Sequence, residues 1–158
     1  YIAPDGRLSW SLTAKGSGPG DVLQPYRVTI GDGTVWVYDF RVRDVSIFSR
    51  TGKFVRRIRL ALPMAIVDDI VAIGDTALAV LGVTRQAGYE NQAIHVFDAG
   101  GAHKRSFGEV AFATDRSMLN MSGTGTLART AQNTLLYVRK GPYQLLEYGV
   151  DGRLRRSV

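Results

Sequence analysis

Two histidines, fourteen acidic residues and no cysteine set the chemistry open to this chain. Without thiolates, and with His95 and His103 lacking further ligands at metal-site spacing, the sequence carries no zinc pattern. Asp68 and Asp69 form an adjacent acidic pair, the kind of group that can hold calcium or serve as acid and base. Neighbours on a strand point to opposite faces, however, so the two are not expected to act together. One of them is expected to point inward, solvated or paired with an arginine. Gly123-Thr124-Gly125-Thr126 lacks the Lys-Ser/Thr pair of a phosphate loop, and no Ser, His and Asp stand in a nucleophile arrangement. Catalytic residues are therefore expected to be none.

The elements that would position such groups come from a repeat. Gly6, Gly52, Gly101 and Gly152 recur at spacings of 46, 49 and 51 residues. Four residues before them stand Ile2, Phe48, Phe97 and Tyr148; six residues after stand Leu12, Ile58, Phe107 and Val158. Each unit reads strand, tight glycine turn, strand. A second marker keeps the same period: Thr34, Thr76 and Thr134 follow a turn and open the apolar runs VWVYD, ALAVL and LLYVR. A further strand precedes each. The unit is thus strand a, turn, strand b, loop, strand c, turn, strand d, about the length of a propeller blade. Strand c is apolar on both faces, as in Val45, Ile47 and Phe48 or Ile94, Val96 and Phe97, which suits a strand covered on both sides. In that phase His95 and His103 occupy packed positions.

The chain of 158 residues is the length of one domain, 45% apolar, with eighteen glycines that suit many tight turns. No apolar run is long enough to span a membrane as a helix. The first residue is Tyr1, and no signal peptide is visible. The fold predicted is all-β, in radial or stacked four-stranded antiparallel sheets. Blades are expected at 26–60, 64–107 and 126–158, with 1–12 supplying strands c and d of an incomplete one.

The segment GSGPGDVLQPYRVTIGDGTVWVYDFRVRDVSIFSRTGKFVRRI resembles the NHL-repeat family and its six-bladed, TolB-like propeller relatives. There a Gly-x-Gly-Pro-Gly-acidic loop leads through a proline into strand a and on to an aromatic-rich strand b ending in Asp. Gly16, Gly18, Pro19, Gly20, Asp21, Pro25 and Asp39 match that pattern. The match covers residues 16–60, and the later units lack the glycine-proline loop. The resemblance implies a ring of about six blades, of which three and a half are present here, so that the chain is expected to be a fragment. A blade face of roughly 300 Å² is worth about 8 kcal/mol when covered. Remaining blades of the same chain, or a second chain, are therefore expected to close the ring.

Net charge is +6, and its position follows the repeat. The four strand-d segments hold ten of the twenty basic residues and no acid. Charge on an edge strand discourages pairing between molecules, which is favoured here over a nucleic-acid site. A basic loop face with aromatics for base stacking would be needed for single-stranded RNA, and the charge lies elsewhere.

In such blades the d–a and b–c loops share one rim. Blade two carries an insertion of seven residues in its b–c loop, VTRQAGYENQ, and the longest d–a connection contains residues 108–125. Binding residues concentrate on loops of this kind. The candidates are Asp39 and Arg41 on the first blade, Arg85, Tyr89, Glu90 and Asn91 on the insertion, and Arg116, Asn120 and Ser122 on the long connection. Phe112, Met118, Leu119 and Met121 read as packing. The expectation is a binding scaffold for a protein, peptide or glycan, without cofactor. The alternative is a hydrolase or lyase resembling the gluconolactonase-like branch, with a divalent cation in the channel. The likeness extends to bacterial exported propellers, and a cysteine-free chain suits the periplasm or envelope.

Overall fold

A computed structural model describes residues 6–12, 15–16, 18–110, 124–140 and 143–158. These form twelve strands and no helix, in three four-stranded antiparallel sheets, each ordered as its strands occur in sequence. The chain divides into two compact units, Tyr1–Arg59 and Leu60–Val158.

The first unit contains β1 (Pro25–Ile30), β2 (Thr34–Asp39), β3 (Asp44–Ser49) and β4 (Phe54–Arg59). Alternation of β-branched and aromatic residues builds both faces of this sheet. Trp36, Tyr38, Val45, Ile47 and Ile58 are buried, and on the other face Val35, Val37 and Phe48 form a cluster with Val22, Trp10, Leu12 and Phe54. Gly52 turns β3 into β4 at φ +83°, and a Cβ there would lie 2.7 Å from the Trp10 ring. Glycine is required twice over, by backbone conformation and by the indole seated against it. Trp10 Nε1 fixes that seat by donating to the Arg50 carbonyl at 2.8 Å.

The second unit contains β5 (Met64–Ile73), β6 (Ala77–Thr84), β7 (Gln92–Asp98), β8 (His103–Glu109), then β9 (Gly125–Arg129), β10 (Thr134–Arg139), β11 (Gln144–Gly149) and β12 (Leu154–Ser157). Its two sheets share one core, in which Val71, Ala79, Leu81, Ile94 and Val96 meet Leu127, Leu135, Tyr137, Leu146 and Tyr148. The repeat glycines Gly6, Gly52, Gly101 and Gly152 all sit at φ between 82° and 88°. Among residues 6–12 there is a single bridging residue, Leu8, rather than a strand; residues 1–5 lie outside the described ones.

Asp68 and Asp69 do not alternate as expected. The register slips between Val67, opposite Gly82, and Asp69, opposite Leu81, so Asp68 is the extra residue of a bulge. Both carboxylates consequently reach β9 and the residue before it. Asp68 Oδ2 accepts from Thr124 N at 2.7 Å and Thr124 Oγ1 at 2.6 Å. Asp69 Oδ2 accepts from Leu127 N at 3.0 Å and Thr126 Oγ1 at 3.1 Å. The two acids therefore do not sit on opposite faces as strand alternation predicts. The pair joins one sheet to the next.

The outermost strand of each sheet carries the positive surplus. Arg56 and Arg59 on β4, Lys104 and Arg105 on β8, and Arg155 and Arg156 on β12 are all exposed. Lys104 pairs with Asp98 at 2.9 Å and Arg59 with Asp44 at 3.2 Å. Exposed pairs of this kind contribute little to stability.

Candidate functional site

On the first sheet, strand b ends in a buried carboxylate: Asp39 is 2% exposed. Its Oδ2 accepts from Leu23 N at 2.6 Å and Gln24 N at 3.1 Å. Its Oδ1 accepts from Arg41 N at 2.9 Å and Val42 N at 3.3 Å. The turn after Asp39 is an Asx turn, which short acidic side chains form readily. Burial pushes the Asp39 carboxyl up, but the four backbone donors outweigh it and hold the group below its ordinary range. A further bond, Phe40 N to the Gln24 carbonyl at 2.9 Å, completes the fastening of the loop before β1 to the turn after β2.

These two loops present an apolar and cationic platform. Leu23, Tyr26 and Phe40 are each between 41% and 49% exposed. The Tyr26 and Phe40 rings lie 5.6 Å apart, tilted, and the Arg27 guanidinium stands 4.1 Å over the Tyr26 ring. Arg41 is exposed beside them in sequence. Tyrosine and arginine are among the residues that carry most of the binding energy in protein interfaces. The cation held over the tyrosine restrains the ring. Of this group the sequence marked only Asp39 and Arg41. Tyr26 and Phe40 were not singled out there; the signal that could have found them is an aromatic at the rim end of strand a and just after strand b.

On the second sheet Thr84 takes the place that Asp39 holds on the first. It stands opposite the first residue of strand a, donates to the Pro63 carbonyl at 2.8 Å and accepts from Gln86 N at 3.1 Å. The insertion occupies residues 85–91 and is closed by Tyr89 N to Gln86 O at 3.1 Å and Gln92 N to Tyr89 O at 3.0 Å. Arg85 and Asn91 are exposed, and Tyr89 and Glu90 half-buried. Tyr89 meets His103 edge-on at 4.9 Å. Behind it, Ser106 Oγ lies 2.7 Å from His95 Nδ1 and 2.8 Å from His103 Nε2. His95 is fully buried, and burial, with His103 adding to it, pulls its imidazole down to about 4. A fully enclosed neutral ring can order Ser106 and the insertion but cannot meet a substrate.

On the third sheet the corresponding position is Arg139, which pairs with Glu109 at 3.6 Å and bonds to Gln144. Tyr143 stands exposed in the turn that follows. Arg116, Asn120 and Ser122, with the packing residues Phe112, Met118, Leu119 and Met121, lie outside the described residues. Among the described residues no three His, Asp or Glu side chains gather as a metal site requires.

No protein-family model matches the chain, and no curated protein is similar to it in sequence. Its fold does have solved counterparts. A catalytically inactive virginiamycin B lyase from Staphylococcus aureus, crystallised with quinupristin, is 18% identical, with a TM-score of 0.57 over 85% of this chain and 40% of that one. A streptogramin B lyase is 13% identical, with a TM-score of 0.55 over 88% of this chain and 41% of that one. A putative exported protein from Bacteroides fragilis is 10% identical, with a TM-score of 0.54 over 90% of this chain and 39% of that one. The chain thus spans about two fifths of these structures. At such identities the likeness is one of fold: an all-β partial propeller.

Proposed function

We propose that this chain is part of a non-catalytic propeller that binds a protein, peptide or glycan through the d–a/b–c rim. The observation that carries this reading is the Asp39 carboxylate, which ties the loop bearing Leu23, next to Tyr26 of β1, to the turn bearing Phe40 and Arg41. A platform set in advance loses little freedom when it binds. Its paired rings and guanidinium groups suit a protein or peptide with exposed apolar and acidic side chains. The sequence pattern of Gly16, Gly18, Pro19, Gly20, Asp21, Pro25 and Asp39 supports placing the chain with NHL-like propellers, in a ring of about six blades.

The test is selection of a displayed peptide library and a glycan array on the natural protein and on Tyr26→Ala/Phe40→Ala. Ligands that bind the first and lose the second support the rim; ligands insensitive to both substitutions overturn it. Calcium titration by calorimetry tests the enzymatic alternative. Tight stoichiometric uptake would favour a propeller hydrolase or lyase with a channel cation.

A further inference from the structure

Arg43 holds a backbone conformation that its residue type seldom adopts. Among the described residues with positive φ, nine are glycine, one is Asn133 and one is Arg43, at 59°. Glycine takes that conformation freely and asparagine tolerates it, whereas the Cβ of an arginine is strained there. The turn itself demands it: Arg43 N donates to the Asp39 carbonyl at 2.8 Å and closes the return from β2 to β3. A glycine would close the same turn at lower cost. The side chain, not the backbone, therefore accounts for an arginine at this position, and strain kept at an exposed turn points to use of that side chain.

The fold itself makes little use of it. Arg41 and Arg43 are exposed, and among the described residues neither guanidinium makes a hydrogen bond or an ion pair. Arg43 acts on Tyr38 through its charge alone, countering the rise that burial causes in the phenol. The acids at either end of the turn are committed elsewhere. Asp39 accepts four backbone N–H groups, and Asp44 pairs with Arg59 at 3.2 Å. A third cation stands on β1. Pro25 pairs with Asp39 and Arg27 with Tyr38, so Tyr26 is the extra residue of a bulge, and its ring meets Phe40 beyond the end of β2. Arg27 lies on that ring, donating to the Tyr26 carbonyl at 3.1 Å and to its hydroxyl oxygen at 3.3 Å.

We propose that the partner of this platform is an acidic peptide segment, with an apolar side chain set against Leu23 and Phe40 and flanking carboxylates paired with Arg41 and Arg43. This rests on the rim being a binding surface and names what it binds. A guanidinium fork matches a carboxylate in two parallel hydrogen bonds, which gives direction as well as charge. The rings favour a peptide over a nucleic acid. Bases stack on open aromatic faces, whereas Arg27 covers one face of Tyr26 and the Phe40 ring is tilted 54° to it. A neutral glycan would need acceptors for its hydroxyls, and both carboxylates of the turn are already engaged.

Peptides selected from a displayed library on the natural protein are measured against Arg43→Gly, Arg41→Glu/Arg43→Glu and Tyr26→Ala/Phe40→Ala. The selected peptides should carry aspartate or glutamate on both sides of a leucine or aromatic residue. Their affinity should fall about fivefold in Arg43→Gly, and much further in the double charge reversal. Arg43→Gly separates binding from folding, because relief of the turn should raise the thermal midpoint while affinity falls. A midpoint lowered in Arg43→Gly makes the arginine structural and overturns the proposal. Peptides that need both rings, show no acidic excess and bind Arg41→Glu/Arg43→Glu unchanged overturn it while leaving the rim a binding surface. Peptides indifferent to the rings overturn both. An oligonucleotide or a sulfated glycan that displaces the acidic peptides and binds more tightly through the same arginines overturns the assignment to a peptide.

Discussion

The backbone nitrogen of Leu23 lies 2.6 Å from Oδ2 of Asp39, across sixteen residues of chain. With Gln24 N on the same oxygen and Arg41 N and Val42 N on the other, one buried carboxylate determines where two loops stand. Positioning here means restricting loops that would otherwise move independently.

Asp39→Ala leaves four backbone donors without their buried acceptor, and a loss of about 2 kcal/mol is expected. Urea unfolding measures it, and Asp39→Asn should lose less because one oxygen remains. The carboxyl is held below its ordinary value in the folded chain. Its stabilisation is thus present above the unfolded value of 3.8 and lost as pH falls through the folded one. In Asp39→Asn that acid-limb dependence should diminish. Unchanged acid unfolding would show that the group contributes nothing to it.

Tyr26→Ala and Phe40→Ala remove exposed rings, so stability should stay within about 0.5 kcal/mol of the parent. Affinity for a selected ligand should fall at least tenfold for either change, with Arg27→Ala weaker in effect. A stability loss as large as that of Asp39→Ala would make the rings part of the core and not of a platform.

Gly82 faces the bulge that aims Asp68 and Asp69 at the neighbouring sheet. A Cβ there would stand 2.1 Å from the Ile66 carbonyl oxygen, a backbone atom with nowhere to go. Gly82→Ala should therefore cost about 3 kcal/mol by overpacking. Asp68→Ala should cost about 2 kcal/mol by orphaning Thr124 N and its hydroxyl. Differential scanning calorimetry would register both. A stable Gly82→Ala protein would mean that the bulge relaxes, and Asp69 exchange protection at Leu127 would then be lost.

His95 sets an acid limit on the second unit. Burial lowers it from 6.5 to about 4, so on acidification the unfolded chain takes up a proton that the folded chain does not. The stability contributed is complete above pH 6.5 and is lost as pH falls towards about 4. At 1.36 kcal/mol per pH unit the total is about 3 kcal/mol. Denaturation midpoints between pH 7 and pH 4 should show this slope, and His95→Gln should flatten it. An unchanged slope would place the titration elsewhere.

The repeat was legible because it is written in local chemistry. A turn that needs positive φ selects glycine wherever it recurs, so Gly6, Gly52, Gly101 and Gly152 announce themselves. Strand c was legible for the same reason, since Ile94, Val96 and Phe97 are apolar on both faces and all are buried. Asp68 and Asp69 were misread because a bulge suspends alternation, and nothing in VDDIV marks where a register will slip. Asp39 was picked out, but its partners at Leu23 and Gln24 depend on loop geometry that no spacing encodes. Tyr26 and Phe40 were passed over because an aromatic at a strand end has the same letter whether it packs or projects.

The cationic outer strands carry a practical consequence. A free sheet edge recruits other edges, and Arg56, Arg105 and Arg155 defend it by mutual repulsion, which reaches only about 10 Å in 0.1 M salt and about 3 Å in 1 M. Concentrated brine therefore disarms the defence while leaving the hydrogen-bonding edge intact. This is a polypeptide to purify and store in dilute buffer, where its own charge keeps molecules apart.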